Sequence, residues 1–294
     1  MTNSSVWQTW LFVGVAAFAV VMTGLIEPDL TTQVLLLVPL VAVFGLPHGA
    51  LDLPIAQALW PFRGWRGKAR FSILYLSIAG LVVLVWVLLP SLSLFAFLIY
   101  SAFHFSGDWP NGPFALRWSG GAATIGAPAL FHPDDVAHIF QYLAPEPAAH
   151  LATSCLAITG GVALAMSIVM LILQPVTRTR AAAEQAAIWF AAGFLAPLVY
   201  FIVYFCALHS VRHTVVTIES LKDRKSALLT SGLLSAVTAF AAVSSILLLD
   251  SFNAGSTVES VSQTIFIGLA ALTIPHMLLV DRFQRRKNNL VKAL

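Results

Sequence analysis

Two histidines four residues apart, in His209-Ser210-Val211-Arg212-His213, close a long apolar run. On a helix, residues i and i+4 share one face, about 40° apart and about 6 Å along the axis. Imidazoles so placed can hold one metal ion. The residues before them, Tyr204-Phe205-Cys206-Ala207-Leu208, are apolar. A polar or ionisable group in such a run is costly inside a membrane and usually functional.

Two more histidines share a pattern. Gly45-Leu46-Pro47-His48-Gly49-Ala50-Leu51-Asp52 and Phe103-His104-Phe105-Ser106-Gly107-Asp108-Trp109 both read His-x-x-x-Asp with a glycine between. If each helix continues, Asp52 lies on the face of His48 and Asp108 on the face of His104. A carboxylate there accepts one ring N–H, fixes the tautomer and turns the other nitrogen toward a metal. Asp52 and Asp108 are therefore expected to support ligands rather than to ligate. Gly49 and Gly107 permit close approach of backbone or ligand. Taken singly, each histidine also fits helix–helix hydrogen bonding; taken together, His48, His104, His209 and His213 make a metal site. His276, in Ile274-Pro275-His276-Met277, is a fifth candidate, expected to support the ligands or to pack. His132, His138 and His150 share the stretch 132–150 with Asp134, Asp135 and Glu146 but no Lys or Arg. They are expected to be solvated, in an outer loop. Cys155 and Cys206 form no CxxC pair, so zinc-ribbon and iron–sulfur chemistry lack ligands; both read as small buried hydrophobes.

Imidazole suits zinc, copper, iron and nickel. Four neutral imidazoles leave the ion's charge uncompensated, which favours an open site that takes a further small ligand. A ferrous centre with positions for dioxygen fits that better than a closed structural zinc. Tyr100, Phe103, Phe105 and Trp109 flank His104, and Tyr200, Tyr204 and Phe205 precede the pair. These aromatics are either ordinary packing and lipid-facing residues or the walls of a tunnel for a substrate dissolved in the bilayer. No Gly-rich phosphate loop, nucleophile elbow or paired-carboxylate motif is visible.

The frame that must position these residues is a membrane one. Of 294 residues, 59% are hydrophobic and only 10% charged, against about 25% charged in soluble domains. Basic residues beside lipid are no argument for nucleic acid. Apolar runs at 6–26, 32–47, 71–89, 91–107, 151–174, 186–208, 226–250 and 260–280 predict an all-α bundle of about eight spans. The short Gly- and Ala-rich segment 118–131 is expected to be re-entrant or interfacial; a crossing there would make nine. No Lys or Arg precedes the first run, so it is expected to stay in the mature chain. With no linker in sight, residues 1–294 read as a single domain. Three basic clusters set the orientation: Arg63, Arg66, Lys68 and Arg70; Lys222, Arg224 and Lys225; Arg282, Arg285, Arg286, Lys287 and Lys292. Eight spans with both termini cytoplasmic place all three inside and leave Arg178 and Arg180 outside. Nine spans reverse those two and misplace the 222–225 cluster, unless Pro197 breaks its region into a hairpin. With eight, all five candidate histidines fall on helices that run inward.

At Pro47-His48-Gly49-Ala50-Leu51-Asp52, His104-Phe105-Ser106-Gly107-Asp108 and the histidine pair, the chain resembles the Brp/Blh family of microbial membrane proteins, along essentially its whole length. The family is described as β-carotene 15,15′-dioxygenase. The resemblance implies a multi-pass protein of the cell membrane that uses Fe(2+) and dioxygen to cleave all-trans-β-carotene at its central double bond into two all-trans-retinal, with possible delivery to a microbial opsin. By similarity His48, His104, His209 and His213 are the iron ligands. Other classes remain on the residues alone. A di-iron membrane hydroxylase or desaturase needs more histidine boxes than the one His-x-x-x-His here. A haem-binding cytochrome needs facing histidines and shows a haem band. A transporter with a histidine proton relay shows proton flux and no metal. On the metal reading, His209→Ala or His213→Ala abolishes iron binding and carotenoid cleavage while the protein still reaches the membrane, and His138→Ala changes neither. Undiminished retinal in the first two variants removes the pair from the site.

Overall fold

The structure, a computed structural model, describes residues 4–62, 64–110, 112–173, 180–252 and 256–292. Arg63 and Arg178, used above for orientation, lie outside them. The described residues are almost entirely helical and include no strand. In chain order the helices are α1 (Ser4–Ile26), α2 (Leu30–Leu40), α3 (Leu46–Ala50), α4 (Asp52–Leu59), α5 (Gly64–Leu88), α6 (Pro90–Ser106), α7 (Phe114–Phe131), α8 (Pro133–Gln141), α9 (Glu146–Leu173), α10 (Arg180–Phe194), α11 (Pro197–Tyr204), α12 (Ser210–Ser220), α13 (Arg224–Phe252) and α14 (Thr257–Lys292). Two π-helical turns interrupt them: π1 (Val41–Gly45) joins α2 to α3, and π2 (Phe205–His209) joins α11 to α12.

Seven stretches of described helix are long and apolar enough to cross a membrane, and α6 is a shorter apolar helix. The chain is a multi-pass membrane protein. Large apolar side chains such as Phe18, Val87, Ile99 and Phe240 are more than 60% exposed. A soluble monomer would not tolerate so many; in a bilayer they face lipid. Apolar composition also forces helix, because backbone N–H and C=O groups find no water there.

Three expectations about these elements need correction. The run 186–208 is not one span. It is split at Ala196, whose extended backbone precedes Pro197 at the start of α11, because the residue before a proline is pushed out of the helical region. The helix that begins at Pro197 continues through π2 to Ser220, so His209 stands at mid-helix, not at its end. Residues 118–131 are not a short separate piece but part of one continuous helix, α7, that starts at Phe114. The stretch 132–150 is no loop: it contains α8 and the start of α9.

Contacts gather the chain into two compact units, Met1–Val41 with Leu89–Arg212, and Ala42–Leu88 with His213–Leu294. In the first, α7 is buried against α6, α9 and α10. Its buried face reads Ser119, Gly120, Gly121, Ala123, Thr124, Gly126 and Ala127, small residues that let helices touch by backbone. A Cβ built on Gly126 would stand 2.7 Å from the Gly160 nitrogen of α9, and one on Gly160 would stand 2.5 Å from the Gly126 oxygen. In the second unit, α14 packs on α5 and α4, and α13 on α3. Ile55, Ala56, Leu59 and Leu279 form one buried cluster there. Ser231 Oγ donates to the Pro47 carbonyl at 2.8 Å, and Arg286 Nη1 donates to the Leu59 carbonyl at the C-terminus of α4, where a cation is favoured.

The α7–α9 contact leaves no room for a methyl group. Gly126→Ala or Gly160→Ala should destabilise by roughly 1–3 kcal/mol, read as a lower melting temperature in detergent. Gly161→Ala, whose Cβ meets nothing within 4 Å, should melt like the natural chain; equal melting of all three variants would refute this packing.

Candidate metal centre

The i,i+4 geometry expected for the two His-x-x-x-Asp motifs does not form, because neither helix continues. Helix α6 ends at Ser106, and Asp108 lies beyond its C-cap Gly107. Helix α3 ends at Ala50, and Leu51 breaks it from α4. Each aspartate is thereby turned to a histidine far away in sequence. Around Gly49 a Cβ would meet nothing within 4 Å, so no backbone comes close there.

In the first unit, Asp108 lies with both carboxylate oxygens 3.1 Å from His209 Nδ1. Tyr204 donates its hydroxyl to Asp108 Oδ2 at 2.6 Å. A carboxylate accepts only, so Nδ1 of His209 carries the proton and Nε2 presents a lone pair. That Nε2 stands 3.1 Å from His104 Nε2. Phe105 meets the His209 ring edge-on at 5.0 Å and Phe205 stacks on it at 5.7 Å, so its orientation is fixed by packing as well.

A buried ion pair supports this group. Arg212 forks onto Glu184, Nη1 to Oε2 at 3.2 Å and Nη2 to Oε1 at 2.6 Å, the bidentate geometry in which guanidinium binds carboxylate best. Glu184 also accepts from Thr9 Oγ1 and from Trp109 Nε1. Arg212 Nη1 donates further to the Asp108 carbonyl at 2.7 Å. The ion pair thus pins the backbone of the residue that orients His209.

The second unit repeats the motif on different helices. His276 Nδ1 of α14 donates to Asp52 Oδ1 at 2.7 Å. Tyr75 of α5 donates its hydroxyl toward Asp52 Oδ2 at 2.8 Å and lies 3.1 Å from the Leu272 carbonyl. His48 Nδ1 donates to the Gly45 carbonyl, the last residue of π1. The rings of His48, His213 and His276 form a triangle with centroids 4.9 to 5.6 Å apart. Thr217 Oγ1 lies 3.5 Å from His213 Nδ1, at the outer limit of a hydrogen bond. The π1 turn ends three residues before His48, and π2 ends on His209. Such turns, each holding one residue beyond the α-helical repeat, recur at functional sites.

These arrangements suit a metal in their donor chemistry. Ligating histidines donate the second ring N–H to a carboxylate or carbonyl, as His48 and His209 do. Nitrogens 3.1 Å apart, each about 2.1 Å from one ion, subtend an angle of about 95° there. Among the described residues, however, no three His, Cys, Asp or Glu side chains converge closely enough to enclose an ion as the chain stands.

The aromatic residues divide. Phe105, Tyr204 and Phe205 surround His209; Trp109 and Tyr204 serve hydrogen bonds; Tyr200 is buried and Phe103 is 52% exposed. Tyr100 is half-buried. His138 and His150 are exposed, as the sequence predicts, whereas half-buried His132 donates to the Ala192 carbonyl. Sequence reasoning missed Glu184, Arg212, Thr9 and Tyr75. Arg212 carried a signal, a cation inside the histidine pair itself; Glu184 and Tyr75 carried none, since their partners are distant in sequence.

A family profile described as Beta-carotene 15,15′-dioxygenase matches residues 39–284. The chain belongs to the β-carotene 15,15′-dioxygenase family. All five candidate histidines and both aspartates fall within the family region, and α1 precedes it. A protein named Beta-carotene 15,15′-dioxygenase, from an uncultured marine bacterium 66A03, is 33% identical over 269 residues, 86% of this chain and 94% of that one. A second, named Probable beta-carotene 15,15′-dioxygenase Blh, from Halobacterium salinarum, is 25% identical over 317 residues, 94% of this chain and 91% of that one. No solved structure gives a significant match.

If Asp108 orients a ligating imidazole, Asp108→Asn should lower metal affinity 10–100-fold while the protein still folds, and Tyr204→Phe should lower it less. Titration of the metal-stripped protein in detergent with ferrous or cobaltous ion reads this. Natural affinity in both variants would reduce Asp108 to a packing acid.

Proposed function

We propose that this membrane enzyme cleaves all-trans-β-carotene at its central double bond with dioxygen, giving two all-trans-retinal, and that Fe(2+) is held by His48, His104, His209 and His213. Family membership and the named relatives support the reaction. The observation that carries the site is the buried, tautomer-fixed imidazole. His209 is 2% exposed and His48 8%, and each gives its Nδ1 proton to an acceptor that has none to return. His104 stands with His209, and His213 with His48. The four-residue spacing between His209 and His213 in the sequence is what links the two pairs. The whole chain then works as one carotenoid-cleaving domain.

Iron, when bound, supplies the redox chemistry that dioxygen requires. The chain supplies the rest. Asp108 and the Gly45 carbonyl hold two of the imidazoles in register before any metal arrives, so little ordering remains to be done on binding. The apolar wall of Phe105 and Phe205 excludes water beside His209. In the overall reaction the central carbon–carbon bond breaks and each carbon gains one oxygen atom. No proton is gained or lost, so no side chain need act as acid or base. The buried tyrosines accordingly act as hydrogen-bond donors to carboxylates and not as proton carriers. Tyr100, Phe103, Tyr200 and Trp109, with the aromatics at His209, are the residues proposed to guide the polyene. A substrate this apolar enters from the lipid bilayer. The basic clusters favour cytoplasmic termini; the proposed location is the cell membrane, with the retinal passing to an opsin there.

Expression in a β-carotene-producing bacterium tests this. Orange colour should fade while retinal appears in the extract, and His48→Ala or His104→Ala should keep the colour. Carotene that persists beside membrane-inserted natural protein would end the reading.

A further inference from the structure

The family reading leaves His276 without a role, yet it is the best-anchored imidazole of the second unit. It is 3% exposed and its Nδ1 meets Asp52 at 2.7 Å. Asp52 is itself 3% exposed and takes the Tyr75 hydroxyl on its other oxygen. This is the same construction, phenol to carboxylate to imidazole, that orients His209 through Tyr204 and Asp108. In the first unit the carboxylate-held imidazole is a proposed iron ligand. In the second unit the carboxylate-held imidazole is neither His48 nor His213 but His276.

Resting on the iron site proposed above, we infer that His276 is itself a metal-binding imidazole, grouped with His48 and His213 and oriented by Asp52. Ring spacing supports this. Imidazoles bound through Nε2 at about 2.1 Å put their centroids about 3.2 Å from the ion, hence about 4.6–5.6 Å apart for angles of about 90–120°. The three separations are 5.6 Å for His48–His213, 5.4 Å for His48–His276 and 4.9 Å for His213–His276. All fall in that range. His48 and His276 are anchored through Nδ1, and His213, whose Nδ1 lies 3.5 Å from Thr217 Oγ1, is the ring that turns to bring its nitrogen in. Desolvation gives the same answer. A buried carboxylate is costly, and a carboxylate that orients a metal-bound imidazole has its charge offset by the cation.

The test is metal content of the purified protein in detergent, by elemental analysis, together with the visible spectrum after loading with cobaltous ion. His276→Ala should lose bound metal as completely as His48→Ala. His276→Gln keeps an N–H for Asp52 and so keeps the fold; it should melt near the natural protein yet also lose metal. Asp52→Asn should weaken binding 10–100-fold without abolishing it. His276→Cys, loaded with cobalt, should gain a thiolate-to-cobalt charge-transfer band that the natural protein, with Cys155 and Cys206 alone, lacks. Natural metal content and an unchanged cobalt spectrum in His276→Gln would overturn this inference and leave the four-histidine site standing. A natural protein that takes up neither iron nor cobalt would instead overturn the iron reading itself.

Discussion

A carboxylate withdrawn from water must be compensated on both of its oxygens, and this chain solves that problem twice in the same way. Asp108 and Asp52 are each nearly inaccessible, and each receives a phenol and an imidazole N–H. The consequence passes outward along the hydrogen bonds. An acceptor-only partner decides which ring nitrogen of His209 and His276 keeps its proton, and so decides which nitrogen presents a lone pair. Removing either donor would leave a buried polar group short of a partner, at about 1–3 kcal/mol or more. The orientation of both rings is thus a by-product of satisfying two acids.

The Arg212–Glu184 pair extends the logic one shell further. Inside apolar surroundings an ion pair is weak evidence for stability, but removal of one partner from such a pair typically costs 3–5 kcal/mol. Here the pair has a positional task. It connects α1, α10 and the turn after α6 through Thr9, Trp109 and the Asp108 carbonyl. Helix α7 contributes by being thin: its glycines let α6 and α9 approach by backbone and leave room for the Gln185 side chain of α10, so the polar network sits on helices that have little freedom to shift.

Much of this was legible in the sequence. Long apolar runs imposed helix and membrane, because period and composition left no other way to satisfy the backbone. The histidines announced themselves by chemistry and spacing, and the family motifs by order. What could not be read was where each aspartate would point. The i,i+4 rule assumes an unbroken helix, and it fails at Leu51 and Gly107, where the chain leaves the helix one step too early for Asp52 and Asp108 to share a face with His48 and His104. The split at Pro197 was visible as a proline, yet its effect on the span boundaries depended on tertiary packing. Glu184 and Tyr75 gave no local sign at all, since their partners are more than 20 residues distant.

The π turn before α12 makes this region sensitive to length rather than to identity. An α-helix advances about 100° per residue, so excising a single residue between Phe205 and Leu208 would let the helix relax to its ordinary winding. The helices on either side would keep nearly the same phase, because the turn holds just one residue beyond the α-helical repeat, and the change would fall on His209 within the turn, whose imidazole would lose its aim at Asp108 although no chemically important residue had been lost. Within this stretch the chain counts like a thread on a screw: apolar substitutions leave the turn as it is, and a deletion of one position removes its extra residue.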